Sequence, residues 1–187
     1  SLNNILYWGS QIFGSYGFSR FLDYQGVNRR TRGLWGLAII TVAFVATWTG
    51  GIFFQKGFSI GDPMGTKDFK DGGYAGPLIL YMIYGLNDAA WQTYCYWLMG
   101  ALSNDVTVLS RYSGFYKCIQ SSGAAVAWRL NAVKIPYMTE LIICFALLVS
   151  AVPGAAFLAN RLEDYTEEAP AIEHHHEKSN EKHEVEA

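Results

Sequence analysis

Polar and apolar positions in this chain separate into long blocks instead of alternating residue by residue. Leu34 to Phe54 carries no charged side chain over twenty-one residues, enough helix at about 1.5 Å per residue to cross a hydrocarbon core of roughly 30 Å. Pro77 to Leu102 holds a single charge, Asp88, and Met138 to Asn160 holds only Glu140, near its start. Two more segments are long enough but more polar. Leu2 to Leu22 contains Asn3, Asn4, Gln11 and Arg20, and Val106 to Leu130 contains Arg111, Lys117 and Arg129. Together they predict an all-α, polytopic helical membrane protein with about five transmembrane helices, over 2–22, 34–54, 77–102, 106–130 and 138–160.

Charge sets an orientation for these spans. The first connection, DYQGVNRRTRG, places Arg29, Arg30 and Arg32 near Arg20 against the single Asp23, and a short loop this basic belongs on the cytoplasmic side. Gln55 to Tyr74 balances three lysines against three aspartates and goes outside. Alternation returns Ser103–Asp105 to the cytoplasm, puts Asn131–Pro136 outside and leaves the C-terminus inside. Arg129 and Lys134 flank that outer loop against the usual bias, and snorkelling to headgroups accommodates them.

The last stretch is a different material. Arg161 to Ala187 has nine Asp or Glu against three Lys or Arg, with few large apolar residues, so an acidic, disordered cytoplasmic tail is expected over 161–187. Its histidines, His174, His175, His176 and His183, do not form a tetrahedral metal set by themselves, and no metal site is expected. Cys95, Cys118 and Cys144 fall inside spans without metal-type spacing and read as small buried apolar residues. Phosphate loops, nucleophile elbows, zincin motifs and basic aromatic surfaces are missing, so neither an enzyme, a cofactor nor a nucleic-acid partner is expected. The start at Ser1, on a segment too polar for a signal peptide, reads as part of a longer chain.

Asp88 is the most informative residue. On a helix over 77–102, Tyr84, Asn87, Asp88, Trp91, Gln92 and Cys95 recur as one stripe, with Leu80, Ile83, Leu86, Ala90 and Leu98 opposite, toward lipid or other helices. A centred aspartate costs about 2.5–3.5 kcal/mol on insertion scales, so it faces protein or water and takes a partner or a proton. In the next span Ser113, Lys117, Gln120 and Ser121 share a face, with Lys117 at the depth of Asp88, which permits an Asp88–Lys117 pair. Such a pair either lines a polar pathway or simply fixes helix register. The stripe Asn4, Tyr7, Gln11, Gly14 and Ser15 of the first span repeats the pattern, although small and amide residues also serve helix packing. Pro153 and Gly154 predict a kink in the last span.

The stretch SRFLDYQGVNRRTRG resembles the cytoplasmic signature loop of the major facilitator superfamily, with Asp23, Gly26, Arg29 and Arg30 falling on it. Ser19 stands where a glycine is usual, Tyr24 replaces a basic residue, and Val27-Asn28 is inserted. The sequences YGLNDAAWQTYCYWLMGALSND and SGFYKCIQSSGAAVAWRL, with LNNILYWGSQIFGS, are similar to fungal members of the Unc-ninety-three-like branch of that superfamily. The resemblance implies that the five spans are the eighth to twelfth helices, the C-terminal lobe, of a transporter that moves a small solute or ion by alternating access. It implies a central cavity with Asn87, Asp88, Trp91, Gln92, Lys117 and Gln120, and a cytoplasmic latch of Asp23, Gly26, Arg29 and Arg30. The alternative it leaves open is a non-transporting regulatory or trafficking partner of another membrane protein.

Overall fold

A computed structural model describes residues 2–59, 61 and 72–164. Among them lie five α-helices and no strand: α1 (Leu2–Leu22), α2 (Arg29–Gln55), α3 (Ala75–Leu102), α4 (Val106–Ala132) and α5 (Tyr137–Ala159). Each expected span coincides with one helix. The largest displacement is at α2, which starts at Arg29 instead of Leu34. Arginine is a good helix former, so the helix begins before its apolar stretch does. The acidic segment from residue 165 onward, with His174–His176 and His183, lies outside the described residues, as do residues 60 and 62–71 of the second connection.

Local chemistry fixes the tight connections. Between α3 and α4 only Ser103–Asp105 intervene, and the Asp105 carboxylate accepts from the backbone N–H groups of Thr107 at 2.7 Å and Val108 at 3.3 Å. That is an aspartate N-cap, which satisfies two otherwise orphaned donors. At the other end of α4, Lys134 adopts a left-handed φ of 58°. Ile135 N–H then closes onto Leu130 O at 3.2 Å, ending the helix. α5 continues through Pro153 as one helix.

The packing is built on α3. α1 runs along it in the same direction, as its contacts advance in step. Tyr7 stacks on Tyr81 with ring centres 4.7 Å apart, Ser10 Oγ donates to Met82 O at 2.9 Å, and Ser15 and Thr93 share a 3.0 Å hydroxyl bond. Close approach explains the small residues here: a Cβ on Gly14 would stand 2.7 Å from Leu86 O, and one on Gly85 would stand 2.6 Å from Ser10 Oγ. Bare Cα atoms let the two backbones meet, the usual device for helix pairs in membranes.

α2 packs antiparallel on another side of α3, and α5 antiparallel on α2. Tyr94, fully buried, donates its hydroxyl to Gly33 O at 3.1 Å. The core gathers Leu22, Leu37, Ile40, Phe44, Tyr94 and Leu98, closed by Ala159 at the end of α5 and Leu162 just beyond it. Ala90 and Leu98 belong to this core, so part of the face opposite the polar stripe meets helices, not lipid. α4 is the least covered helix: it has no buried residue and meets α3 through Tyr116 against Tyr96, centroids 5.3 Å apart. By length and composition, α2 and α5 are apolar enough to cross a membrane.

Gly14→Ala is therefore expected to destabilise the protein by about 1–3 kcal/mol, the usual range for forcing extra atoms into a packed contact. Gly9→Ala, with nothing within 4 Å of its Cβ, should leave stability unchanged or slightly raised. Detergent-induced unfolding followed by circular dichroism measures both, and equal losses would contradict the close approach of α1 and α3.

Candidate functional site

Asp88 lies about midway along α3, half-buried, on the side that meets α1. Its Oδ2 accepts from Gln92 Nε2 at 3.1 Å and from Gln11 Nε2 at 3.4 Å. Gln92 comes from the next turn of the same helix, the i+4 spacing that brings side chains together. Gln11 comes from α1, and it reaches the carboxylate because Gly14 and Gly85 bring the two helices close. The carboxylate is sheltered by amides, as the cost of placing a charge among apolar residues requires. Beside it a hollow of about 750 Å³ is lined by Trp8, Gln11, Ser15, Gln92, Thr93 and Tyr96, among others. Two amides and several hydroxyls line this hollow, and the two amides also bond Asp88, which is not itself part of the lining. Such groups suit a cation, a proton or a small polar solute.

The predicted stripe does not act as one face. Asn87 points away from Asp88 into the α2 contact, where it is 3% exposed. Its Nδ2 donates to Thr47 Oγ1 at 2.7 Å and to Ala43 O at 3.4 Å. Trp91 joins the aromatic pack, its ring 5.6 Å from Phe44 and 6.1 Å from Tyr94. Because α3 is central, its polar stripe divides between two neighbours: Asp88 and Gln92 go to α1, Asn87 and Trp91 to α2.

Lys117 makes no hydrogen bond or ion pair with Asp88. Its Nζ donates to Gln120 Oε1 at 2.8 Å, one turn further along α4, and lies 5.7 Å from the ring centres of both Tyr96 and Tyr116. Ring faces and an amide thus hold the ammonium on an exposed stretch of α4. Gln11, Ser15 and Thr93 are the site residues that the predicted cavity set lacked. Gln11 and Ser15 were visible as the polar stripe of α1; Thr93 carried no signal of its own.

At the basic end, the Arg30 side chain and the Arg29 backbone bond to the segment that follows α5. Asp23 is exposed. Arg30 grips Asn160 Oδ1 through Nε at 3.2 Å and Nη2 at 2.8 Å, and the Arg29 backbone N–H donates to Asp164 Oδ1 at 3.0 Å. An aspartate at a helix N-terminus also suits the local dipole. The bare Cα of Gly26 faces the Tyr24 ring. Arg32, outside the predicted set, donates from Nη1 to Leu22 O at 2.8 Å and lies 6.0 Å from the Trp97 ring, joining α1, α2 and α3.

No family model matches the chain, and no solved structure matches it significantly. Among curated proteins it is 46% identical over 154 residues to UNC93-like protein 1 of Arabidopsis thaliana, covering 81% of this chain and 34% of that protein. It is 45% identical over 155 residues to an UNC93-like protein of Schizosaccharomyces pombe, covering 79% of this chain and 30% of that protein. To an uncharacterised membrane protein of the same yeast it is 35% identical over 150 residues, 79% of this chain and 31% of the other. Such similarity over most of the chain supports the UNC93-like family, and the names together with the two apolar helices point to a membrane protein. The chain spans about a third of the length of these relatives.

A double-mutant cycle of Asn87→Ala and Thr47→Ala should return a coupling of about 0.6–1.7 kcal/mol, the range measured for interhelical hydrogen bonds in membranes. Chemical unfolding in detergent measures it. Additive losses would place Asn87 outside the α2 contact.

Proposed function

We propose that this chain forms the C-terminal lobe of a polytopic, UNC93-like membrane transporter of the major facilitator type, moving a small solute or ion by alternating access. The observation that carries the reading is Asp88: an acid in mid-helix, held by Gln92 and Gln11, the two amides that line the hollow. Ionisable groups at such depth mark ion and substrate paths by default. Every helix has at least 21 residues, enough for about 30 Å of bilayer. No residue of the apolar window of α5 is buried, which suits lipid and not the interior of a water-soluble core. The basic residues Arg20, Arg29, Arg30 and Arg32 gather at one end of the bundle, the cytoplasmic end by the positive-inside rule. In this reading Asp88, with Gln11 and Gln92, binds the coupling proton or cation. Lys117 and Gln120 contribute polar groups from α4, and Arg30 and Asn160 clasp the cytoplasmic ends of α2 and α5 in one state.

One observation favours a second reading, a regulatory or trafficking partner of another membrane protein. α4 exposes Trp128 (79%) and Phe115 (71%) on a helix without a buried residue, which suits contact with a foreign helix.

Uptake in reconstituted vesicles separates the two. Asp88→Asn, nearly isosteric, should reduce pH- or ion-driven uptake by about tenfold or more while membrane abundance stays near wild type. Uptake unchanged by the substitution rejects the coupling role. No flux from the intact protein, with capture of one dominant membrane protein from its native membrane, selects the partner reading instead.

A further inference from the structure

A second hollow lies on a different face of α3 from Asp88. It has a volume of about 600 Å³ and is formed by one stripe from each of three helices, a size typical of small-ligand sites. α2 supplies Trp48 and Phe54, with Phe58 just beyond its end; α3 supplies Tyr84, and α5 supplies Tyr137 and Glu140. The rings support one another: Trp48 and Tyr84 meet edge to face at 4.7 Å, Phe54 and Phe58 at 5.3 Å, and Phe58 and Tyr137 lie 6.2 Å apart. Gly51 is what admits Tyr84, because any Cβ there would collide with the phenol oxygen.

Glu140 is the one charged residue of this lining. Among the described residues its carboxylate makes no hydrogen bond or ion pair. Lys134, the nearest basic residue along the chain, lines the adjoining hollow, which meets this one at Gln55, Phe58 and Tyr137. An acid set in an aromatic wall is a mismatch for a neutral apolar ligand, since the carboxylate would lose hydration without return. Small inorganic cations are mismatched too, because they require several oxygens and this wall is mostly ring carbon. Aromatic faces attract cations and cover methyl groups, and quaternary ammonium recognition uses this combination.

We propose that the groove of Trp48, Tyr84, Phe58, Tyr137 and Glu140 binds an alkylated ammonium ion. The chemistry is shared by a free quaternary amine and by a choline headgroup. The proposal is independent of the transport reading, because Asp88 faces α1 and this groove lies between α2, α3 and α5.

Titration calorimetry on the protein purified in an uncharged maltoside detergent tests it, with choline, its neutral isostere 3,3-dimethylbutanol, and dihexanoyl phosphatidylcholine against dihexanoyl phosphatidylglycerol. Saturable choline binding at least about tenfold tighter than that of the isostere is expected for a free amine. Binding of the phosphatidylcholine alone, in preference to the phosphatidylglycerol, assigns the site to a lipid headgroup. Glu140→Gln should weaken whichever ligand binds by about tenfold, and Tyr137→Leu by about threefold or more. Both variants must keep the wild-type melting temperature, and Tyr137→Leu serves alone if Glu140→Gln does not. Equal affinity for choline and its isostere, indifference to both substitutions, or no binding of either choline or phosphatidylcholine would overturn the proposal.

Discussion

The structure depends on how closely α1 can approach α3. A glycine on each helix, Gly14 and Gly85, removes the side chains that would hold the backbones apart. Ser10 and the Ser15–Thr93 pair then fasten them with hydrogen bonds. Only at that separation does the short side chain of Gln11 reach Asp88. Packing and chemistry are thus one problem here: the small-residue stripe that joins the helices also brings the amide that shelters the acid. Without it, Asp88 would keep Gln92 alone and face apolar surroundings with half its support.

A second set of contacts makes α3 the axis of the bundle. Asn87 binds Thr47, Tyr94 binds the Gly33 carbonyl, and Phe44, Trp48, Tyr84 and Trp91 fill the α2–α3 interface with rings. At the basic end, Arg30 with Asn160 and Arg32 with Leu22 O tie helix ends to one another. One helix therefore presents an acid to α1, an amide to α2 and a phenol to the groove by α5, each from a different angle of the same cylinder. α4 stands apart from this arrangement, held by a three-residue turn and the Tyr96–Tyr116 contact.

The helices themselves were largely legible in the sequence. Uncharged length is a one-dimensional property, so five helices lie near the places predicted for the spans, and α2 alone starts well before its apolar stretch. The choice of Asp88 as the unusual residue was likewise available from its isolation among apolar neighbours. What periodicity could not supply was the number of neighbours around α3. A stripe assumes one partner, and α3 has several, so Asn87 and Trp91 serve a different interface from Asp88 and Gln92. Equal depth suggested a bond from Lys117 to Asp88, yet depth says nothing of lateral distance, and the ammonium settled on tyrosine rings and Gln120. For the same reason the Arg30 side chain and the Arg29 backbone N–H met Asn160 and Asp164, more than a hundred positions away in sequence. The small polar stripe of α1, readable first as packing, does pack against α3, and its Gln11 also reaches Asp88.

Disulfide trapping in native membranes tests the central contact most directly. With Cys95, Cys118 and Cys144 replaced by alanine, the pair Ser15→Cys and Thr93→Cys lies across the α1–α3 seam, beside Asp88 and Gln92. Mild oxidation should link this pair rapidly in membranes that resist carbonate extraction, while Phe13→Cys with Thr93→Cys stays unlinked. A chain released by carbonate, or a Ser15–Thr93 pair that links no faster than the Phe13 control, would contradict the account.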